Sequence, residues 1–297
     1  MGHLMRIIFI GAVEFSLLAL ERLLDIKAEV VGVCTLQSAP FNADYADLTP
    51  LCREHRIPFI FVDDINAPTT LEWIRERAPD VIFCFGWSRL LKEELLSVAP
   101  LGVVGFHPAA LPANRGRHPL IWALALGLKQ TASTFFFMNT GADTGDILSQ
   151  RALTIDPADD ARALYDKVSD CALEQITQFV PQLASGSFTQ KPQDHAKANI
   201  WRKRGVADGK IDWRMSAHSI HNLVRALAKP YVGAHFVVDG KDIKVWKSMV
   251  LGDSPPNVEP GKVLGTRDGS PIVKCGQDAL LLLVTEPTFC PTEGSYL

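Results

Sequence analysis

The chain has little of what most often announces a function outright. Its six cysteines (Cys34, Cys52, Cys84, Cys171, Cys275 and Cys290) show no C-x-x-C spacing and no histidine partners at zinc-ligand intervals, so neither a metal site nor a disulfide framework is indicated. Such usage fits a reducing, cytoplasmic setting. Charge of one sign is also missing: 30 Lys plus Arg stand against 33 Asp plus Glu, a net of −3, which gives no general attraction to a phosphate backbone. Apolar runs such as 81–86 and 280–284 are far too short for a membrane span, and the start shows no signal-peptide pattern. The first apolar run is followed by Gly11-Ala12-Val13-Glu14-Phe15 and not by G-x-G-x-x-G, so the dinucleotide fingerprint is absent and a dehydrogenase is disfavoured. There is no internal repeat and no low-complexity stretch.

What is present is ample apolar material: 47% of 297 residues are hydrophobic, enough for one large domain and a small one. Short apolar runs at 6–10, 30–35, 59–62, 81–85 and 102–106 read as buried strands, and helical patterns lie between them at 17–24, 47–55, 69–77 and 92–98. That alternation predicts an open parallel α/β sheet, whose ligands gather at the carboxyl ends of the strands. Further strands are expected at 133–138 and 147–155 and a long helix at 159–183. Beyond residue 186 the composition turns polar, and 190–207 reads as a linker between a domain 1–189 and a domain 208–297. The latter has a helical pattern at 217–228 and short strands at 235–238, 243–246, 261–264, 272–275 and 279–283.

Two segments carry candidate chemistry. In Phe106-His107-Pro108-Ala109-Ala110-Leu111-Pro112-Ala113-Asn114-Arg115-Gly116-Arg117, His107 ends an apolar strand, where an imidazole can take a proton from an attacking group and return it to a leaving group. In Gly141-Ala142-Asp143-Thr144-Gly145-Asp146-Ile147, Asp143 either bonds its own turn or orients and charges His107, as in other His-Asp pairs. Arg115, Gly116 and Arg117 form a loop that is either solvated or a fork for an anionic substrate. Phe85-Gly86-Trp87-Ser88 could line a flat heterocycle or pack in the core.

Taken together these segments resemble the folate-dependent formyltransferases, a family acting on methionyl-tRNA, glycinamide ribonucleotide or sugar nucleotides. The match runs through Gly11 to Ser16, through His107 to Gly116 (similar to His-x-Ser-Leu-Leu-Pro-x-x-Arg-Gly) and through Ala142 to Ile147 (similar to Leu-Asp-Thr-Gly-Asp-Ile). It continues in Asp208 to Trp213, Pro230 to Ala234 and Ile243 to Trp246. The resemblance implies an open Rossmann-like, mostly parallel sheet with flanking helices, followed by a small β-rich, OB-like carboxy-terminal domain. It implies N10-formyltetrahydrofolate as formyl donor with no metal, and it carries His107 and Asp143 over as catalytic positions. The family's third position departs, since its Asn-x-His pattern is Gly105-Phe106-His107 here. Asn139 or Asn114 would then supply the missing donor, with Asn139 preferred; backbone amides, water or an altered catalyst are the alternatives. The folate pocket falls on Phe85, Gly86, Trp87 and Leu90, with Asp146 beside it.

For the acceptor, Arg115 to Trp122 and Ile220 to Ala226 resemble the sugar-nucleotide enzymes most. A small-molecule nucleotide sugar is therefore expected, its pyrophosphate on Arg115, Arg117 or Arg225 and Gly116 in the same site. Methionyl-tRNA is the alternative, but residues 201–297 hold thirteen Lys plus Arg against ten Asp plus Glu, a weak attraction for nucleic acid. A formylfolate-binding protein and a formylfolate hydrolase are the remaining readings. No membrane partner is expected, and homodimerisation through the small domain stays open.

Overall fold

The computed structural model describes residues 4–39 and 43–297. Its strands and helices run β1 (Arg6–Ile10), α1 (Glu14–Asp25), β2 (Glu29–Thr35), α2 (Thr49–Glu54), β3 (Phe59–Phe61), α3 (Pro68–Arg75), β4 (Val81–Cys84), α4 (Glu93–Leu96) and β5 (Val103–His107). Then follow β6 (Arg115–Gly116), α5 (Pro119–Ala125), β7 (Gln130–Phe137), β8 (Ile147–Thr154), α6 (Ala161–Ser185) and β9 (Ile200–Trp201). The last are α7 (Ala217–Ala226), β10 (Ala234–Val238), β11 (Lys241–Leu251), β12 (Val263–Arg267), β13 (Ser270–Lys274) and β14 (Ala279–Glu286).

Seven strands form the main sheet in the order β3-β2-β1-β4-β5-β7-β8. The pairs from β3 to β5 are parallel, while β7 runs antiparallel to β5. Apart from Arg6 at the start of β1 and His107 at the end of β5, the central strands are apolar throughout because helices cover both faces. Ile8, Ile10, Ile82, Cys84 and Val103 pack with Leu71, Ile74 and Leu95. The alternate residues Phe9, Phe83 and Phe85 join Phe135 and Phe179 in an aromatic chain with ring centroids 4.8–6.0 Å apart, a spacing at which edge and stacked pairs add to simple burial. The mostly parallel sheet with flanking helices is the expected architecture. β10-β11-β14-β13-β12 form a separate, fully antiparallel sheet, on which α7 packs. Among the described residues no helix is long and apolar enough to cross a membrane.

Two compact units emerge, and their borders differ from the sequence reading. The first comprises 1–116, 132–153 and 167–201; the second comprises 117–131, 154–166 and 202–297. Residues 190–201, expected to be linker, belong to the first unit. The backbone of Lys191 pairs with that of Ile147, Gln193 is buried, and β9 pairs in parallel with β6. Composition misled because this segment is fixed by hydrogen bonds and not by apolar side chains. In the second unit α5, which the sequence reading did not identify, packs against α7.

The second unit also holds two imidazoles whose pKa values lie below the ordinary histidine value. His118 is lowered mainly by burial, then by Arg117, Arg204 and Lys203; His221, bonded to the Ser248 hydroxyl at 3.0 Å, is lowered by burial, then by Arg225 and His218. Because the folded values are depressed, the unfolded chain takes up protons first. Stability complete above about pH 6.5 is therefore lost as pH falls toward the folded values. The melting temperature is expected to drop between pH 7.5 and 5.0, and His221→Asn should make that drop smaller; an equal drop in both proteins would refute the assignment.

Candidate active site

β5 delivers His107 to the carboxyl end of the main sheet, where its side chain is only 7% exposed. Its Nε2 lies 2.7 Å from the carbonyl oxygen of Asn114. A carbonyl can only accept, so Nε2 carries the hydrogen, and Nδ1 is left as the atom able to take up a proton. That nitrogen faces Oδ2 of Asp143 at 3.7 Å, close enough for the carboxylate to stabilise an imidazolium and too far for a direct hydrogen bond to the neutral ring.

Asp143 is held in a left-handed conformation, φ +55°, within the loop that follows β7. Its Oδ2 accepts the Gly116 amide at 2.8 Å. The loop's other end is closed by Asn139, whose Oδ1 accepts from the Gly141 amide at 3.0 Å and the Thr144 hydroxyl at 2.6 Å, leaving Nδ2 as its donor end. Asn139 and Met138 border a surface depression of about 330 Å³ that is lined further by Glu93, Leu96, Ser97 and Thr140; His107 and Asp143 are not part of its lining. Asn114, the other sequence candidate, is engaged through its backbone, accepting from His107 and donating to Oδ1 of Asn199 at 2.8 Å.

Gly105 lies opposite Phe136 across the β5/β7 pair. A Cβ at this position would come within 2.8 Å of Met138 Cγ, 3.0 Å of its sulfur and 3.2 Å of Phe136. The thioether of Met138 thus fills the space where a side chain at position 105 would begin. Gly105→Asn alone is expected to destabilise the protein by about 1–3 kcal/mol through overpacking, and adding Met138→Ala should restore most of the loss. Thermal melts of the single and double variants check this, and a single variant as stable as the parent would sink it.

At the end of β4, the Phe85 ring is fully buried in the aromatic chain. Its amide bonds Ile10 and its carbonyl accepts the Ser16 hydroxyl at 2.6 Å. Phe85 therefore serves the core, which corrects its expected place in a ligand pocket. Ser16 also accepts from the amides of Ala12 and Val13, both at 3.1 Å, and so ties the loop after β1 to the loop after β4; a lone serine after an apolar run carries no sequence signal of this role. Gly86 has φ +72°, which only glycine adopts without strain. Trp87 packs against the aliphatic core while its indole Nε1 is buried with no hydrogen-bond partner among the described residues, a donor left over for something else. Leu90 is 71% exposed and its carbonyl accepts from Asn66 at 3.0 Å. Asp146, half-buried, accepts the Phe137 amide on its carbonyl at 2.8 Å.

The arginines separate. Arg115 is buried, with Nε and Nη2 on Oε1 of Gln193 at 3.2 and 2.6 Å and Nη2 on Nδ1 of His195 at 3.0 Å. Arg117, in the second unit, is exposed. Arg225, also in the second unit, is buried and donates to Oδ1 of Asn222 at 2.8 Å and to the carbonyls of Asp159 and Asp156 at 2.9 and 3.2 Å. These bonds fix 154–166 to α7 and correct the expectation that Arg225 grips a pyrophosphate, since its donors already satisfy buried backbone carbonyls. Gln193 and Asn199 were missed because a polar run without aliphatic spacing carries no signal of burial.

Residues 16–180 match the family described as formyl transferase, and residues 205–289 match its C-terminal domain. A methionyl-tRNA formyltransferase from Caldanaerobacter subterraneus subsp. tengcongensis is 32% identical over 284 residues, covering 94% of this chain and 91% of the relative. One from Geotalea daltonii is 33% identical over 282 residues, covering 93% and 89%. Among solved structures, an N-formyltransferase from Helicobacter canadensis in complex with folinic acid and dTDP-3-aminofucose superposes with a TM-score of 0.70 at 15% identity, covering 94% of this chain and 98% of that one. At that identity the likeness is one of fold.

Proposed function

The chain belongs to the formyl transferase family and is a folate-dependent formyl transferase, and on that premise we propose that it moves the formyl group of N10-formyltetrahydrofolate to the amino group of a nucleotide-linked amino sugar. The observation that carries the chemistry is the environment of the His107 ring: Nε2 is bonded to the Asn114 carbonyl, and Nδ1 is left facing the Asp143 carboxylate. When the acceptor amine forms its bond to the formyl carbon, Nδ1 takes the amine proton. The resulting imidazolium is held between the Asn114 carbonyl and the Asp143 carboxylate, and it returns the proton to N10 as the carbon–N10 bond breaks. Asn139 Nδ2 is our candidate donor to the formyl oxygen, because the position of the family's asparagine is filled by Met138.

The folate fits the loop after β4 on one observation: the buried, unpartnered Trp87 Nε1–H beside left-handed Gly86. Such a donor is costly to leave unmet, and a heterocycle nitrogen or oxygen would satisfy it. Gly86, Trp87, Leu90 and Asp146 would hold the donor substrate there. Bound formylfolate supplies an activated formyl carbon.

Against RNA as acceptor stands the state of the one concentrated basic patch. Arg202 pairs with Asp208 at 2.5 Å, Arg204 donates to the Asp208 carbonyl at 2.5 Å, and both guanidinium groups lie over the Trp122 ring at 5.3 and 4.6 Å. Two of the three cations of this patch thus have partners inside the second unit, while the Arg202 and Lys203 side chains stay exposed. The specific observation favouring methionyl-tRNA is the 32–33% identity to enzymes of that name. Release of tetrahydrofolate from N10-formyltetrahydrofolate with 3-amino and 4-amino sugar nucleotides, methionyl-tRNA or no acceptor decides between them. Turnover with an amino sugar alone supports the proposal, turnover with methionyl-tRNA replaces its acceptor, and acceptor-free release replaces transfer by hydrolysis.

A further inference from the structure

We infer that Gln193 and Arg115 are positioning residues for the reaction, joined in an internal clamp that sets the Asp143 loop against His107, and that the Arg115 cation is a strut of this clamp and not a ligand for a substrate anion. The inference rests on the proposed roles of His107 and Asp143. Its starting point is an amide with its hydrogen-bonding capacity fully used. Gln193 is 6% exposed; Nε2 donates to the carbonyls of Asp143 at 2.9 Å and Gly145 at 2.6 Å, while Oε1 accepts twice from Arg115. Two donors and two lone pairs are thereby matched.

The other arm of the clamp is the backbone of the same arginine segment. The Arg115 amide bonds the Asn199 carbonyl at 3.0 Å, and β6 pairs with β9. The next amide, Gly116, holds the Asp143 carboxylate. Asp143 is therefore gripped at its carbonyl by the Gln193 side chain and at its carboxylate by the Gly116 backbone, and Arg115 links the two grips. Gly116 has φ +101° and lies against the Trp201 carbonyl, where a Cβ would collide, so the sequence Arg-Gly suits the clamp at both positions. A left-handed aspartate between glycines would otherwise have many conformations available. A carboxylate displaced by about 1 Å can cost about a hundredfold in rate. For Arg115 to grip an anion through Nε and Nη2, Gln193 and His195 would have to leave those atoms, exposing a buried amide with nothing to bond; Nη1 alone would give only a one-nitrogen contact.

The test is steady-state kinetics of Gln193→Met, Gln193→Glu and Arg115→Met against the parent and His107→Ala, with thermal melts of each. Gln193→Met keeps the volume and removes the bonds; Gln193→Glu keeps the pairing with Arg115 and turns the donor into an oxygen facing two carbonyls. Both are expected to lower kcat by about 10–100-fold with KM for formylfolate and for the acceptor within twofold. In single-turnover assays on an Asp143→Ala background, Gln193→Met should cost less than twofold more, because the group it positions is gone. Equal losses with and without Asp143, or unchanged kcat in a folded variant, overturn the inference. So does Arg115→Met raising the acceptor KM tenfold at constant kcat, which is the signature of a substrate anion ligand. Should Gln193→Met fail to fold, the same criteria apply to Gln193→Glu. Full activity of His107→Ala would instead overturn the proposed catalytic pair, whatever the Gln193 variants do.

Discussion

Replacing His107 with alanine is expected to lower kcat for formyl transfer by about 10²–10⁴, the range that proton transfer by a positioned side chain supplies. The structure gives the loss a specific form. Nδ1 is the one ring atom left to accept a proton, since Nε2 is bonded to the Asn114 carbonyl, and no neighbouring imidazole stands behind it among the groups that contact Asp143. Truncation also leaves the Asn114 carbonyl without its donor, at a cost of about 1–3 kcal/mol in stability where that group stays buried. Turnover and melting should therefore be measured on the same preparation, together with His107→Gln, which can keep a donor near Asn114 but cannot take up a proton. A loss in both variants identifies proton transfer as the missing element. Activity within threefold of the parent in either variant would remove His107 from the chemistry.

The second large effect concerns a residue with no functional group. A Cβ on Gly145 would fall deep inside the carbonyl oxygen of Phe137, which is backbone and cannot rotate away. The Gly145 carbonyl is at the same time held by Gln193 and the adjoining loop carries Asp143. Gly145→Ala must therefore shift either the end of β7 or the loop. Strain of this kind costs about 3 kcal/mol, or roughly 5 °C in melting temperature for a chain of 297 residues, and it moves the carboxylate away from His107. Differential scanning calorimetry and turnover at 15 °C, below the new transition, separate the two consequences. Lowered stability with full activity would show that the strand yields and the loop does not; an unchanged melting temperature would refute the steric argument.

Much of the main sheet was readable without coordinates, because strands buried on both faces need apolar residues at every position and the helices between them need an apolar stripe. The runs at 6–10, 81–85 and 102–106 correspond to β1, β4 and β5 to within a residue at each end. Boundaries failed where one rule outweighed another. The helix expected at 92–98 shortens to Glu93–Leu96, and the strand expected at 243–246 extends over Lys241–Leu251 because pairing with β10 and β14 carries it through exposed polar positions. The expected linker failed most instructively. Gln193 and Asn199 sit in a run whose composition is that of solvated chain, yet their bonds close the site from behind.

By itself the sequence determined that an imidazole ends a buried strand, that a carboxylate follows in a glycine-flanked loop, and that the two belong to the pattern of formyl transferases. The first two are properties of neighbouring residues that periodicity and spacing record; the third rests on the resemblance of those segments to known family motifs. The tertiary structure alone decided which nitrogen of His107 is committed, that Met138 stands where a side chain on Gly105 would go, that Phe85 belongs to the core, and that Arg115 and Arg225 spend their donors inside the protein. Each of these depends on groups dozens of positions apart competing for the same space or the same hydrogen bond. Such competition is settled by packing and by the cost of leaving a buried polar group unmatched, and neither quantity exists until the chain is folded.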